Sequence, residues 1–215
     1  MAHHASLGDP LSDPDYIFDS GKKFQSWVGC FLFHLLQPRT WLNSMAGHLF
    51  KIKRPSWDLF YLMAWWLTLH AALWVCFGSR VCVSFFVLWM LSRASFFYLI
   101  TTFREMSDHF GRPAGSVVSF TRDITIHGFG LKWIIHPHNN GYHLTHHILP
   151  SVPYYRLHLA QKEFAKLEFY AGKALRCDGY LFGKTAIVRE WKTQVASGTL
   201  APSGHTQAIK GLLNN

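Results

Sequence analysis

The sequence predicts an all-α protein: an integral-membrane helical hairpin carrying a helical, histidine-rich cap on the cytoplasmic side. Three observations point there. Two long apolar runs stand back to back, joined by "GSR" at 78–80. Charged residues make up 15% of the 215 positions and aromatic ones 16%, where a soluble domain usually carries about 25% charge. Three histidines fall as H-x-x-H-H on a short stretch bounded by a glycine and two prolines, "GYHLTHHILPSVP".

Residues 1–23 are polar and rich in turn signals, with Asp9-Pro10, Asp13-Pro14 and Gly21. They lack the charged, then apolar, then small-residue order of a signal peptide. "FQSWVGCFLFHLL" at 24–36 is apolar but too short to cross a bilayer, and Pro38 follows it. It reads as an interfacial or re-entrant segment.

Residues 59–78 and 81–103 are each long enough to cross as a helix, which takes about 20 apolar residues. Lys51, Lys53 and Arg54 precede the pair, Arg104, Arg112 and Arg122 follow it, and Arg80 alone marks the tip. That bias places both ends of the hairpin in the cytoplasm. Trp57, Trp65 and Trp66 suit an interfacial aromatic belt. Arg93 falls inside the second run, where a cation is expensive. It is expected to face the protein interior or to snorkel.

Beyond the hairpin the composition turns polar. Leu157, Ala160, Phe164 and Leu167 recur at helical spacing, which predicts an amphipathic helix over 155–170 with that stripe in the core. Residues 177–215 show no strong periodicity and read as a loose tail. The expected organisation is one domain over 1–176 and a tail over 177–215, without internal repeats.

The net charge of +9 suits contact with anionic lipid head groups. No nucleic-acid-binding motif accompanies it, so no nucleic-acid partner is expected. The four cysteines (Cys30, Cys76, Cys82, Cys177) have no paired spacing and are expected to be reduced thiols.

On a helix over 142–149, His143, His146 and His147 stand at i, i+3 and i+4 and share a face. Asn139 or Asn140 is placed to cap its start, and Pro150 and Pro153 end it. Three neutral imidazoles on one face make a metal platform suited to iron, copper, zinc or nickel. The plain alternative is three unrelated polar residues on a surface helix. In "REMSDHF" at 104–110, Glu105 and His109 share a face at i, i+4. Alone, His109 would be an ordinary structural histidine.

"YHLTHHILPSVPYYRL" resembles the third histidine box of the membrane fatty acid desaturases. The match covers Tyr142, His143, His146, His147, Pro150, Val152 and Pro153. "HHASLGDPLSDPDY" resembles the end of that family's second box and the leucine-glycine-aspartate and aspartate-proline-aspartate run after it, with His3 and His4 as its last two histidines. "REMSDHF" is similar to the helix that carries the family's additional ligand, with His109 in the ligand place and Glu105 where a polar group reaches a metal through water. The resemblance covers roughly residues 1–160.

The resemblance implies a di-iron site liganded by His3, His4, His109, His143, His146 and His147. Glu105 would touch the metal cofactor through water, and Asp9 and Asp13 would orient ligand imidazoles. It implies O2 as oxidant and electrons from a ferredoxin- or cytochrome-type donor. The substrate would be an acyl chain entering from the bilayer as an acyl-lipid, acyl-CoA or acyl-carrier conjugate. The expected reaction is fatty acyl desaturation. The same scaffold also supports lipid hydroxylases and carotenoid-type oxygenases.

The family's first box, H-x-x-x-H, has no counterpart upstream. Its two ligands, and the leading histidine of the second box, are unmatched. The sequence therefore reads as a chain that starts at an internal methionine. A non-catalytic membrane remnant is the rival expectation from another class. A zinc site is a third, although six histidines overshoot a closed tetrahedron.

Overall fold

The structure is a computed structural model. It describes residues 4, 23–38, 40–42, 44–45, 57–112, 116–125, 134–198 and 200. His3, Asp9, Asp13, Lys51, Lys53 and Arg54 lie outside the described residues. The chain divides into two compact units: Met1–Phe33 with Phe103–Asn215, and His34–Thr102.

The first helix, α1, is Trp27–Leu35, within the run expected to be interfacial. The long apolar element α2 is Trp57–Ser92, interrupted at Gly78, which has φ +83° and ψ 171°. Only glycine takes such a backbone conformation readily, so the chain reverses there. The two arms pack on each other. Trp66 meets Trp89 at 5.5 Å between ring centroids, and His70 lies 5.9 Å from Phe85 and 5.8 Å from Phe86. Residues so far apart in sequence meet only if the helix folds back, so the expected hairpin is present.

The helix Leu59–His109 is apolar and long enough to cross a membrane. Large apolar side chains of its hairpin part face outward: Trp65 is 63% exposed and Val75 83%. An apolar surface of this extent suits lipid rather than water.

A π-helical turn at Arg93–Phe97 follows α2. Arg93 donates from Nη2 to the Ser44 carbonyl at 3.2 Å, and its guanidinium lies 5.6 Å from the Phe97 ring centroid. It faces its own unit, as expected of a cation in an apolar helix. His70 is likewise a structural histidine, its Nδ1 lying 2.8 Å from the Trp66 carbonyl.

The other unit contains most of the remaining elements. These are α3 (Tyr98–His109, which begins in the hairpin unit), α4 (Val117–Phe120), β1 (Arg122–Ile124), a 3-10 turn at Pro137–Asn139, and α5 (His143–Ile148). A second 3-10 turn at Tyr154–Arg156 is followed by α6 (Leu157–Phe164), α7 (Glu168–Lys173), β2 (Leu175–Cys177) and α8 (Ile187–Ala196). The protein is mostly helical, but β1 and β2 form a parallel two-stranded ladder that an all-α reading leaves out. Arg122, Asp123 and Ile124 are all buried, so their backbone groups need internal partners. β2 supplies them, pairing Arg122 with Leu175 and Ile124 with Cys177.

Two further expectations are corrected. The helix expected over 155–170 is split into α6 and α7, because Leu167 is extended (φ −80°, ψ 125°) and caps α7. Leu167 is 54% exposed, whereas Tyr170 is buried. The break turns Tyr170 inward, where its hydroxyl finds a partner. The stretch after 177 is not loose throughout. α8 buries Ile187, Val188 and Trp191 against a core of Met106, Phe110, Ile124 and Tyr180. A second cluster packs Val118, Leu144 and Tyr170. All four cysteines are free thiols, and burial pushes the Cys177 thiol up to about 11.

Candidate metal centre

Two short helix ends carry the site, and β1 holds both. α3 ends at His109, and Gly111 follows with φ +73°, a left-handed residue of the kind that terminates helices. Arg122 is fully buried against this end. It donates from Nη1 to the Ser107 carbonyl and from Nη2 to the Phe110 carbonyl at 3.2 Å. Nη2 also meets Glu190 Oε1 at 3.0 Å. A guanidinium here satisfies carbonyls that have no partner within the helix and complements its negative end. Arg122 is thus a structural cation of the core, not one of the exposed cations that face lipid head groups.

The next residue does the opposite work on α5. Asp123 accepts from the Thr145 backbone N–H at 3.1 Å and from Thr145 Oγ1 at 2.8 Å. The Tyr170 hydroxyl donates to it at 2.6 Å. It therefore caps the first turn of the three-histidine helix from a neighbouring strand. The expected caps, Asn139 and Asn140, do not: the N-cap position is Tyr142, without a side-chain cap. Asn139 instead donates to the Tyr154 carbonyl at 3.1 Å. Burial raises the Asp123 carboxyl above its ordinary value, against the lowering effect of these donors.

Gly141 makes the close approach of α5 to β1 possible. Its carbonyl accepts from Ile124 N at 2.7 Å. A Cβ there would lie 2.4 Å from the Ile124 carbonyl oxygen.

The histidines meet where these helix ends converge. Nε2 of His143 lies 2.9 Å from Nε2 of His109 and 3.1 Å from Nε2 of His147. One donor atom from each of the three falls within 4.8 Å of the others. A ring nitrogen is either a donor or an acceptor, so one good in-plane hydrogen bond cannot account for both short contacts of His143. Lone pairs converging on a cation account for both: two ligands at about 2.1 Å from one metal, at right angles, stand about 3.0 Å apart.

His109 is oriented for this. Its Nδ1 lies 3.4 Å from the Phe120 carbonyl and 3.4 Å from Thr121 Oγ1. That turns Nε2 towards the cluster, as outer partners of metal-bound imidazoles do.

The sequence-predicted residues are therefore largely brought together. His4 stacks on His147 at 4.4 Å and meets His146 edge-on at 4.6 Å. His143 and His147 lie 4.6 Å apart, and His109 and His143 4.8 Å. Five of the six histidines expected to be ligands thus form one cluster. The sixth, His3, is outside the described residues. Glu105 sits one turn before His109 on α3, with Oε1 on Arg104 Nη2 at 2.8 Å.

Sequence reasoning missed Asp108. It is 1% exposed, and its Oδ2 is 3.9 Å from His143 Nε2. The only signal was its place beside His109. Adjacent helical residues point about 100° apart, so helical spacing did not put the two on one face.

The family model "Fatty acid desaturase" matches residues 1–177. The chain belongs to the fatty acid desaturase family. No curated protein and no solved structure matches it. Membership makes the chain an oxidoreductase-family member with desaturase-type chemistry at family level. The family is membrane-associated, in keeping with the long apolar helix. It is also known for di-iron use. A desaturase-type centre needs converging imidazoles, and the donor set of His109, His143 and His147, with His4 and His146 beside it, fits that requirement.

Proposed function

We propose that this chain is an O2-dependent fatty acyl desaturase of the bilayer, working at a di-iron centre. The observation that carries the reading is the convergence of the Nε2 atoms of His109, His143 and His147. Family membership over most of the chain supports it. Iron bound there would supply the oxidising power to remove hydrogen from an unactivated methylene.

The net reaction joins two adjacent CH2 groups by a double bond. Two hydrogens from substrate, two electrons from a donor and two protons convert O2 to two waters. The residues of the chain hold this chemistry in place. His143, His147 and His109 present neutral imidazoles from two helices. His4 and His146 extend the cluster past His147, and His3 is assigned as a further ligand. Glu105 is the water-linked group of the centre. Arg122 and Asp123 fix the helix ends on which the ligands stand. The apolar hairpin keeps the substrate in lipid. Within its unit, a cleft of about 360 Å³ lined by Leu35, Leu36, Trp41, Ala94, Tyr98 and Leu99 is of a size and polarity for an acyl segment. Both ends of the hairpin are assigned to the cytoplasm, where a ferredoxin- or cytochrome-type donor supplies electrons.

The test is expression in a host with such an electron donor, followed by mass spectrometry of total acyl chains. A new double bond that disappears in H143A is expected. A hydroxylated product would move the assignment to a hydroxylase. An unchanged acyl profile with a folded, iron-loaded chain would overturn it.

A further inference from the structure

We infer that Asp108 is an oxygen ligand of the same metal centre, so that the group around His109, His143 and His147 is a mixed imidazole–carboxylate set. The inference rests on the metal-centre reading above and adds a donor to it.

Asp108 is buried to 1% exposure, and among the described residues neither carboxylate oxygen has a hydrogen-bond donor. A carboxyl group so placed carries a large desolvation penalty unless a cation or donor offsets it. Arg104 does not serve. Its Nε is 3.9 Å away, beyond hydrogen-bond reach, and its Nη2 is engaged by Glu105 at 2.8 Å. The buried Arg122 also acts on Asp108 electrostatically, but its guanidinium donates to the Ser107 and Phe110 carbonyls and to Glu190. His143 Nε2 lies 3.9 Å from Oδ2.

That same Nε2 faces His109 and His147 at 2.9 and 3.1 Å. A separation of 3.9 Å is too long for a hydrogen bond. It lies inside the span available to two ligands of one ion, which reaches about 4.2 Å when they stand opposite each other. The carboxylate therefore lies beside His143, and a cation held between the two would satisfy it. One hard oxygen donor among imidazoles also reduces the net charge of the site and favours iron over softer competitors.

The experiment uses the full chain in lipid nanodiscs, titrated anaerobically with Fe(II) alone. Wild type, D108N, D108E and H143A are compared by bound iron, dissociation constant and X-ray absorption. Circular dichroism reports the fold. D108N is expected to bind iron roughly 10–100-fold more weakly and to lose a short oxygen scatterer. D108E is expected to recover part of the affinity. Metal-free D108N should melt no lower than wild type, because the change removes an unpartnered carboxyl.

Iron binding by D108N equal to wild type, with H143A defective, would overturn the assignment of Asp108 and leave the metal centre standing. A metal-free D108N that melts well below wild type would also overturn it, by showing that protein groups already hold the carboxylate. A folded wild type that takes up no iron would overturn both readings.

Discussion

Arg122 and Asp123 are adjacent on β1 and cap helix ends of opposite sign. Arg122 holds the carbonyl end of α3 through Ser107 and Phe110. Asp123 holds the amide end of α5 through Thr145. Successive strand residues point to opposite faces, so one three-residue strand fixes both helices that carry the imidazoles. The geometry of the metal centre therefore depends on two residues that need not touch a metal.

Replacing Arg122 by methionine should destabilise the protein by about 3 kcal/mol, the scale for removing one partner of a buried ion pair. The Ser107 and Phe110 carbonyls would lose their donor, while Glu190 would keep Arg112 and Gln194. A thermal melt followed by tryptophan fluorescence reads this, because Trp191 lies in the same core. A change within about 0.5 kcal/mol, the scale of ordinary surface substitutions, would contradict the role.

D123A removes three hydrogen bonds around Thr145 and Tyr170 and should cost about 2–3 kcal/mol. Iron affinity should fall with it, since α5 loses its cap. A variant that loses stability but keeps full affinity would separate Asp123 from the site.

Asp123 also predicts a pH dependence. Burial raises its carboxyl above 3.8 in the folded chain. A raised carboxyl stabilises the fold fully below the unfolded value and loses that contribution as pH rises through the folded value. The melting temperature of wild type minus that of D123N should therefore shrink as pH is raised from about 4. A difference that is flat or grows as pH rises would contradict the assignment.

G141A places a Cβ 2.4 Å from the Ile124 carbonyl oxygen. The strand or α5 must shift, at about 1–3 kcal/mol. The expected readout is a weaker iron site with helix content retained. At Gly78, where φ is +83°, valine should cost about 1–2 kcal/mol and loosen the hairpin. That is measurable as faster proteolysis near the turn.

The elements built from local pattern were legible in the sequence. The hairpin shows as two apolar runs parted by Gly78-Ser79-Arg80. The ligand helix shows as His143, His146 and His147 on one face, closed by Pro150 and Pro153. Elements set by distant partners were not. Asp123 caps a helix through a residue 22 positions away, and Arg122 reaches a carbonyl 15 positions away. Neither pairing leaves a periodic trace. α8 was missed although Ile187, Val188, Trp191 and Val195 recur at helical spacing and pack into the core. Asp108 escaped because its burial is set by residues distant in sequence, among them Arg122, His143 and Tyr180.

The central claim is that the clustered imidazoles hold metal. The most direct measurement is iron content and X-ray absorption of the purified chain in nanodiscs, beside a His143→Ala, His147→Ala double variant. About two irons per chain are expected, with nitrogen scattering at about 2.1 Å that the double variant loses. A folded chain with no iron, or with iron that the double variant retains in full, would contradict the account.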